Sequence, residues 1–159
     1  MAFGVKVEEV YFCPSMFRGS EAAELVTNAR AAGIDCCELG ESAFEKVSGR
    51  EGPDGLLGVA KTWNCSLDQL KPSANPLLLV AESVEKPGNL GALLRTADSA
   101  GCDALIVCDP ITDVFNPNVV RSSQGALFSV PVAVCTSQEA AAWMKAKGVR
   151  SLATSPAAT

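Results

Sequence analysis

The sequence predicts an α/β protein whose second half is a parallel sheet covered by helices. Three observations carry that reading. Short apolar runs at 77–80, 104–108, 127–135 and 149–154 alternate with stretches of helical period, the pattern of strands joined by helical crossovers. The turn at 85–89, Glu-Lys-Pro-Gly-Asn, leads straight from a strand into a helix, as connections at the carboxyl ends of parallel strands do. Finally, 159 residues of which 48% are hydrophobic suffice for a packed core in one or two small domains.

In chain order, residues 7–13 read as a strand ending at Pro14, and Ser20 caps a helix that stops at Gly33. The apolar face of that helix is Ala22, Leu25, Val26 and Ala29. A strand over 34–39, a short helix over 42–47, a polar loop over 48–54 and a strand over 56–62 complete a first α/β domain, residues 1–63. Residues 64–75 mix Pro, Ser, Asn and charge and read as a linker. After the strand at 77–80, Leu90, Leu93, Leu94 and Ala97 fall on one helical face, with Asn89 as N-cap and Gly101 as the stop. Asn116-Pro117 starts the next helix, which continues to Ser123 and ends at Gly125. A strand over 127–135, a helix over 137–147 closed by Gly148, and a fourth strand over 149–154 follow.

No apolar run is long enough for a membrane span, and no signal segment opens the chain. Seven cysteines without a CxxC pair, and no histidine at all, argue for reduced, buried thiols in a cytoplasmic protein without a metal site. Histidine catalysis is excluded. There is no GxGxxG and no GxxxxGK[ST], so neither a dinucleotide fold nor a P-loop is encoded. The net charge of −5 and the scattered Lys and Arg speak against strong non-specific nucleic-acid binding.

The candidate chemistry lies at the start of the helix after Asn89. Its first-turn N–H groups suit an anion or a developing oxyanion, and Gly88 and Gly91 leave room for close approach. Gly91, Arg95 and Asp98 share the face away from the leucines, where Asp98 is spaced to orient the guanidinium.

Residues 84–101, VEKPGNLGALLRTADSAG, resemble the first motif of the SpoU/TrmH family of RNA 2′-O-ribose methyltransferases, in the knotted SPOUT superfamily. Residues 116–132, NPNVVRSSQGALFSVPV, are similar to that family's following helix-turn-strand segment. The resemblance implies a small ribosomal-protein-like α/β RNA-binding domain followed by a SPOUT methyltransferase domain over 76–159. It implies S-adenosylmethionine as cofactor, rRNA or tRNA as partner, and a homodimer. It assigns Asn89 and Arg95 as catalytic, Gly91, Arg121 and Ser123 to RNA contact, and Thr154 and Ser155 to the cofactor. The family's later Gly-Ser-Glu-Gly and Ser-Leu-Asn motifs are expected after the strand ending near Thr154, and the sequence stops at Thr159. The first strand also begins almost at once. The expectation is therefore an enzyme fragment, clipped at its first domain and incomplete at its C-terminus. The alternative is an RNA-binding module with a degenerate catalytic half.

Overall fold

A computed structural model describes residues 5–154, which fall into two compact units dividing between Thr62 and Trp63. In the first, β1 (Val7–Phe12), α1 (Glu21–Ala31), β2 (Asp35–Glu38), α2 (Glu41–Ser48) and β3 (Leu56–Ala60) follow the expected order. The sheet runs β2-β1-β3, parallel between β1 and β2 and antiparallel between β1 and β3. Period-two alternation places Val10 and Phe12 of β1 in the core, beside Val26 and Ala29 of α1 and the fully buried Phe44 of α2. Leu25, expected on the same apolar face of α1, is instead exposed. Ser20 stands at the N-cap position, but its backbone is already helical and its side chain caps nothing. At the far end, Gly33 and Ile34 donate to Arg30 and Ala29, closing the helix with a paired turn.

The second unit is β4 (Leu78–Glu82), α3 (Pro87–Ser99), β5 (Ala104–Cys108), α4 (Pro117–Ser122), β6 (Val132–Cys135) and α5 (Ser137–Ala146). Its sheet is wholly parallel, in the order β4-β5-β6. Central β5 is buried at all five positions, as a strand covered on both faces must be. Leu105 and Val107 join Leu90, Leu94 and Ala97 of α3 with Val119 of α4. Ala104, Ile106 and Cys108 meet Leu70, Ala133 and Ala140 on the opposite face.

Four boundaries differ from the sequence reading, each for an identifiable reason. Helix α3 begins at Pro87, with Lys86 rather than Asn89 at the cap position. Proline's fixed φ and missing N–H favour the first helical position, which puts Asn89 inside the first turn. The strand expected over 127–135 is only Val132–Cys135, because Ala126–Phe128 form a 3₁₀ turn and Pro131 lacks the N–H a ladder needs. Residues 149–154 form no strand. They pair with no strand among the described residues, and Leu152 is 81% exposed. Trp63, read as the end of the first domain, meets Phe115 of the second unit edge-on at 4.7 Å, and the stretch read as a linker is packed there too: the Cys65 carbonyl accepts from the Val134 N–H at 2.6 Å, and Leu70 is buried. Asp103 fastens its end by accepting the Ser73 and Leu77 N–H groups at 2.8 and 2.9 Å. Those backbone donors, Ser73 first, hold the Asp103 carboxyl below the ordinary carboxylate range.

All seven cysteines are free thiols, but only Cys13 and Cys108 are buried and Cys37 is exposed. Among the described residues no helix is long and apolar enough to cross a membrane.

Candidate functional site

Helix α3 presents three functionally different sides. At about 100° per residue, Leu90, Leu94 and Ala97 face the sheet. Gly91, Arg95 and Asp98 follow on the side that meets α4 and the 3₁₀ turn, and Asn89, Leu93 and Thr96 line a groove on the other flank. That groove, about 580 Å³, is completed by Ala92 of the helix and by Ser83, Val84, Glu85 and Lys86 from the turn after β4. Asn89 and Arg95 therefore border an exposed strip of α3 from opposite sides, with Gly88 and Ala92 between them. A ligand lying along that strip reaches both.

The backbone sharpens this edge of the sheet. Ser83 and Asp109, the residues immediately after β4 and β5, take φ values of 51° and 44°, uncommon for side chains with a Cβ. Their N–H groups still extend the ladder, to Cys108 and Cys135 respectively, both at 2.9 Å. The chain turns away only after that last bond, which puts the loops at the carboxyl end of the strands, where open α/β sheets bind ligands.

Two helix N-termini open onto this end, and they are treated oppositely. At α5, Thr136 and Glu139 form a reciprocal capping box, and Asp109 accepts the Ser137 N–H at 3.0 Å. The Thr136 N–H and hydroxyl depress the Glu139 carboxyl, and the Ser137 hydroxyl and N–H depress that of Asp109. The chain's own carboxylates thus fill this N-terminus. At α3 no side chain caps the first turn, so its positive dipole end is left for another group. Burial and then the adjacent Cys108 push Cys135 up to about 12, burial raises Cys108, and both stay protonated at neutral pH.

Arg95 is held by α4. Its Nη1 donates to the carbonyl of Ser122, in the last turn of that helix, where carbonyls lack intrahelical partners and favour a cation. One guanidinium edge is so occupied, while the side chain remains exposed and, among the described residues, nothing takes its other donors. The expected Arg95–Asp98 pairing does not form: Asp98 accepts the Ser129 hydroxyl at 3.0 Å instead. Gly91 makes this geometry possible. A Cβ there would lie 2.0 Å from the Ser122 Oγ and 2.7 Å from its carbonyl carbon, so only glycine lets α4 approach closely enough to present its carbonyl. The Ser122 hydroxyl donates to the Asn118 carbonyl at 2.6 Å and lies 3.3 Å from that of Pro87, tying α4 towards the first turn of α3.

The remaining sequence-derived residues separate. Gly91 is buried at the helix contact, which makes it a spacer rather than an RNA-facing position. Ser123 is fully buried and donates its hydroxyl to the Val120 carbonyl at 2.7 Å, so it too cannot face RNA. Arg121 is exposed, steadied by a 3.1 Å bond to Asn118 Oδ1. Thr154 is exposed and away from regular structure, and Ser155 lies outside the described residues. Ser122 went unnoticed because the sequence offers two adjacent serines, and only the phase of α4, set by buried Val119, distinguishes them.

Comparison with known proteins places this arrangement. The family described as SpoU rRNA Methylase matches residues 76–159, the stretch that holds α3, α4 and the sheet. The 23S rRNA (guanosine(2553)-2′-O)-methyltransferase RlmP of Bacillus subtilis is 36% identical over 118 residues, 74% of this chain and 46% of that protein. The 23S rRNA (uridine(2479)-2′-O)-methyltransferase of Streptomyces viridochromogenes is 34% identical over 69% of this chain and 36% of that protein. The chain thus spans less than half the length of either. Among solved structures, an RNA 2′-O ribose methyltransferase superposes with a TM-score of 0.79 at 33% identity, covering 99% of this chain and 58% of that one. The S. viridochromogenes SpoU methyltransferase AviRb, in complex with the cofactor AdoMet, gives 0.79 at 25% identity over 92% and 54%. The match covers more than half of the sequence and includes the Gly91 spacer and its anchored arginine: the chain belongs to the SpoU rRNA methylase family.

Proposed function

We propose that the protein acts in S-adenosylmethionine-dependent methylation of a ribose 2′-hydroxyl in rRNA, with Arg95 and Asn89 at the reacting nucleotide. The observation that carries this reading is the half-anchored guanidinium. Arg95 spends one edge on the Ser122 carbonyl and offers the other to solvent beside the uncapped first turn of α3.

S-adenosylmethionine supplies a methyl group already activated as a sulfonium. Arg150 to Thr154, near the expected cofactor contact, are exposed and enclose nothing, so the described residues there do not by themselves fit the cofactor. What the chain's own residues do is act on the RNA. An arginine side chain keeps its proton in proteins and does not serve as a base for the hydroxyl. Its role is to hold the phosphate beside the ribose and to stabilise the negative charge that grows on the 2′-oxygen as its proton passes to solvent water. Asn89, exposed in the first turn and lining the groove, orients the ribose. Arg121, exposed one residue before Ser122, supplies a further phosphate contact. The family resemblance supports the rest of the reading: a first unit of ribosomal-protein type that engages RNA, a homodimer, and a cytoplasmic location.

The test is transfer of radiolabelled methyl from S-adenosylmethionine to 23S rRNA, followed by alkaline hydrolysis. Label retained in alkali-stable dinucleotides is the expected result, because a methylated 2′-oxygen blocks strand cleavage at that step. Label on bases alone, or none, contradicts the reading.

A further inference from the structure

Within residues 1–62, ten acidic side chains outnumber six basic ones. In this acidic setting two guanidiniums converge on one atom. Arg18, in the loop after β1, donates Nη2 to the Gly52 carbonyl at 3.2 Å, and Arg50, in the loop before β3, donates Nη2 to the same oxygen at 3.1 Å. Gly52 takes a φ of 57°, the left-handed conformation that glycine accepts without strain. The two charges consequently stand within about 6 Å of each other, at a separation where like charges repel. Among the described residues a single ion pair offsets them, Asp54 at 3.4 Å from Arg50, and Arg18 forms none.

Holding one loop carbonyl in place needs a single donor. The second arginine brings charge repulsion and little added stability, since a hydrogen bond to an exposed carbonyl contributes little net energy. Each guanidinium also has five donors, of which the carbonyl takes one from each and Asp54 meets a nitrogen of Arg50 alone. What remains is a pair of planar forks that meet at one carbonyl oxygen, with two positive charges against the single carboxylate of Asp54. A phosphodiester set between such forks meets donors from both sides, the bidentate geometry in which arginine exceeds lysine.

We propose that Arg18 and Arg50 form a phosphate clamp that grips the RNA backbone through the first unit. The identification of the anion as RNA rests on the methyltransferase reading above, whereas the clamp's preference for a diester phosphate rests on its own geometry. Arg30, whose guanidinium lies 5.2 Å from the centre of the Phe12 ring, is outside the clamp and serves as control.

The experiment is fluorescence anisotropy of the full chain with a fluorescein-labelled RNA hairpin over a range of salt concentrations. The double variant Arg18→Gln/Arg50→Gln is expected to bind about tenfold more weakly, with a log–log salt slope shallower by about one unit per lost phosphate contact. Arg30→Gln is expected to match the parent. Binding by the double variant with unchanged affinity and slope overturns the clamp, as does an absence of hairpin binding by the parent. Displacement of the hairpin by polyglutamate as readily as by unlabelled RNA also overturns it, pointing to an acidic protein partner. If the Gln pair melts early, Arg18→Lys/Arg50→Lys keeps the charge. It is expected to retain the salt slope and lose affinity, and loss of the slope in that folded variant contradicts the proposal. Clamp-dependent binding without methyl transfer would sink the enzymatic reading and leave the clamp standing. Methyl transfer with binding indifferent to the clamp would do the reverse.

Discussion

Replacing Arg95 with alanine is expected to lower methyl transfer about 10²–10³-fold, the cost of removing one preorganised donor from a developing oxyanion. The fold should survive, because the side chain is exposed and its one internal bond, to the Ser122 carbonyl, contributes about 1 kcal/mol at most. Arg95→Lys is the sharper comparison. A lysine keeps the charge, but its single ammonium cannot both hold the carbonyl in the fixed geometry of a planar fork and face the ribose phosphate. Its rate should therefore fall to within about tenfold of the alanine variant. Single-turnover kinetics beside a thermal melt distinguish the possibilities. A lysine variant with parental turnover would mean that charge alone suffices and that the anchoring at α4 is incidental.

Gly91→Ala is expected to cause the largest loss of stability of any glycine substitution in the second unit. The new methyl would stand 2.0 Å from the Ser122 Oγ, 2.7 Å from the Ser122 carbonyl carbon and 2.8 Å from its Cβ. Since part of that contact is backbone, α4 has to move as a body. Overpacking of this kind costs about 1–3 kcal/mol, and each kcal/mol is worth about 4–8 °C in melting temperature for a unit of this size. Gly88→Ala is the counterpart on the same helix. A Cβ there meets nothing within 4 Å, so removing a helical glycine should raise stability by about 0.5–1 kcal/mol. Differential scanning calorimetry of the two variants checks the pair. A Gly91→Ala protein that melts with the parent would show that α3 and α4 are not as close as described.

Element order was legible because the local signals agreed. Strand β5 is an apolar run between Gly101 and the turn at Asp109-Pro110, and α4 begins at Asn116-Pro117, whose side chain does accept the Asn118 N–H at 2.9 Å. Where signals conflicted, the less conspicuous one prevailed. At the start of α3 a good capping residue, Asn89, competed with a proline two residues earlier, and the proline set the boundary. Before β6, Leu127 and Val130 are core, but periodicity alone cannot separate a buried turn from a buried strand. Residues 149–154 show a different limit. A strand is a property of a pair, and strand-like composition is not enough where no described neighbour pairs with it.

The site was legible in its residue types and not in its contacts. Arg95 stood out because it shares a helix with an open, glycine-containing turn. Its restraint by the Ser122 carbonyl was invisible, since a backbone acceptor leaves no trace in residue identity. Gly91 was noticed as a small residue, but its purpose depends on where α4 runs. Ser123 is implied by the family resemblance, which carries no helix phase, and spacing alone matches Asp98 to Arg95, although Ser129 captures it.

The most direct test of the central claim, that the exposed strip of α3 between Asn89 and Arg95 receives a ribose, is an NMR titration. The labelled protein is titrated with a short oligoribonucleotide and, separately, with its 2′-deoxy counterpart. The account predicts shifts of the Gly88 and Asn89 amides and the Arg95 guanidinium that are markedly larger with the ribose form. Equal shifts from both oligonucleotides, or shifts confined to residues away from α3, would contradict it.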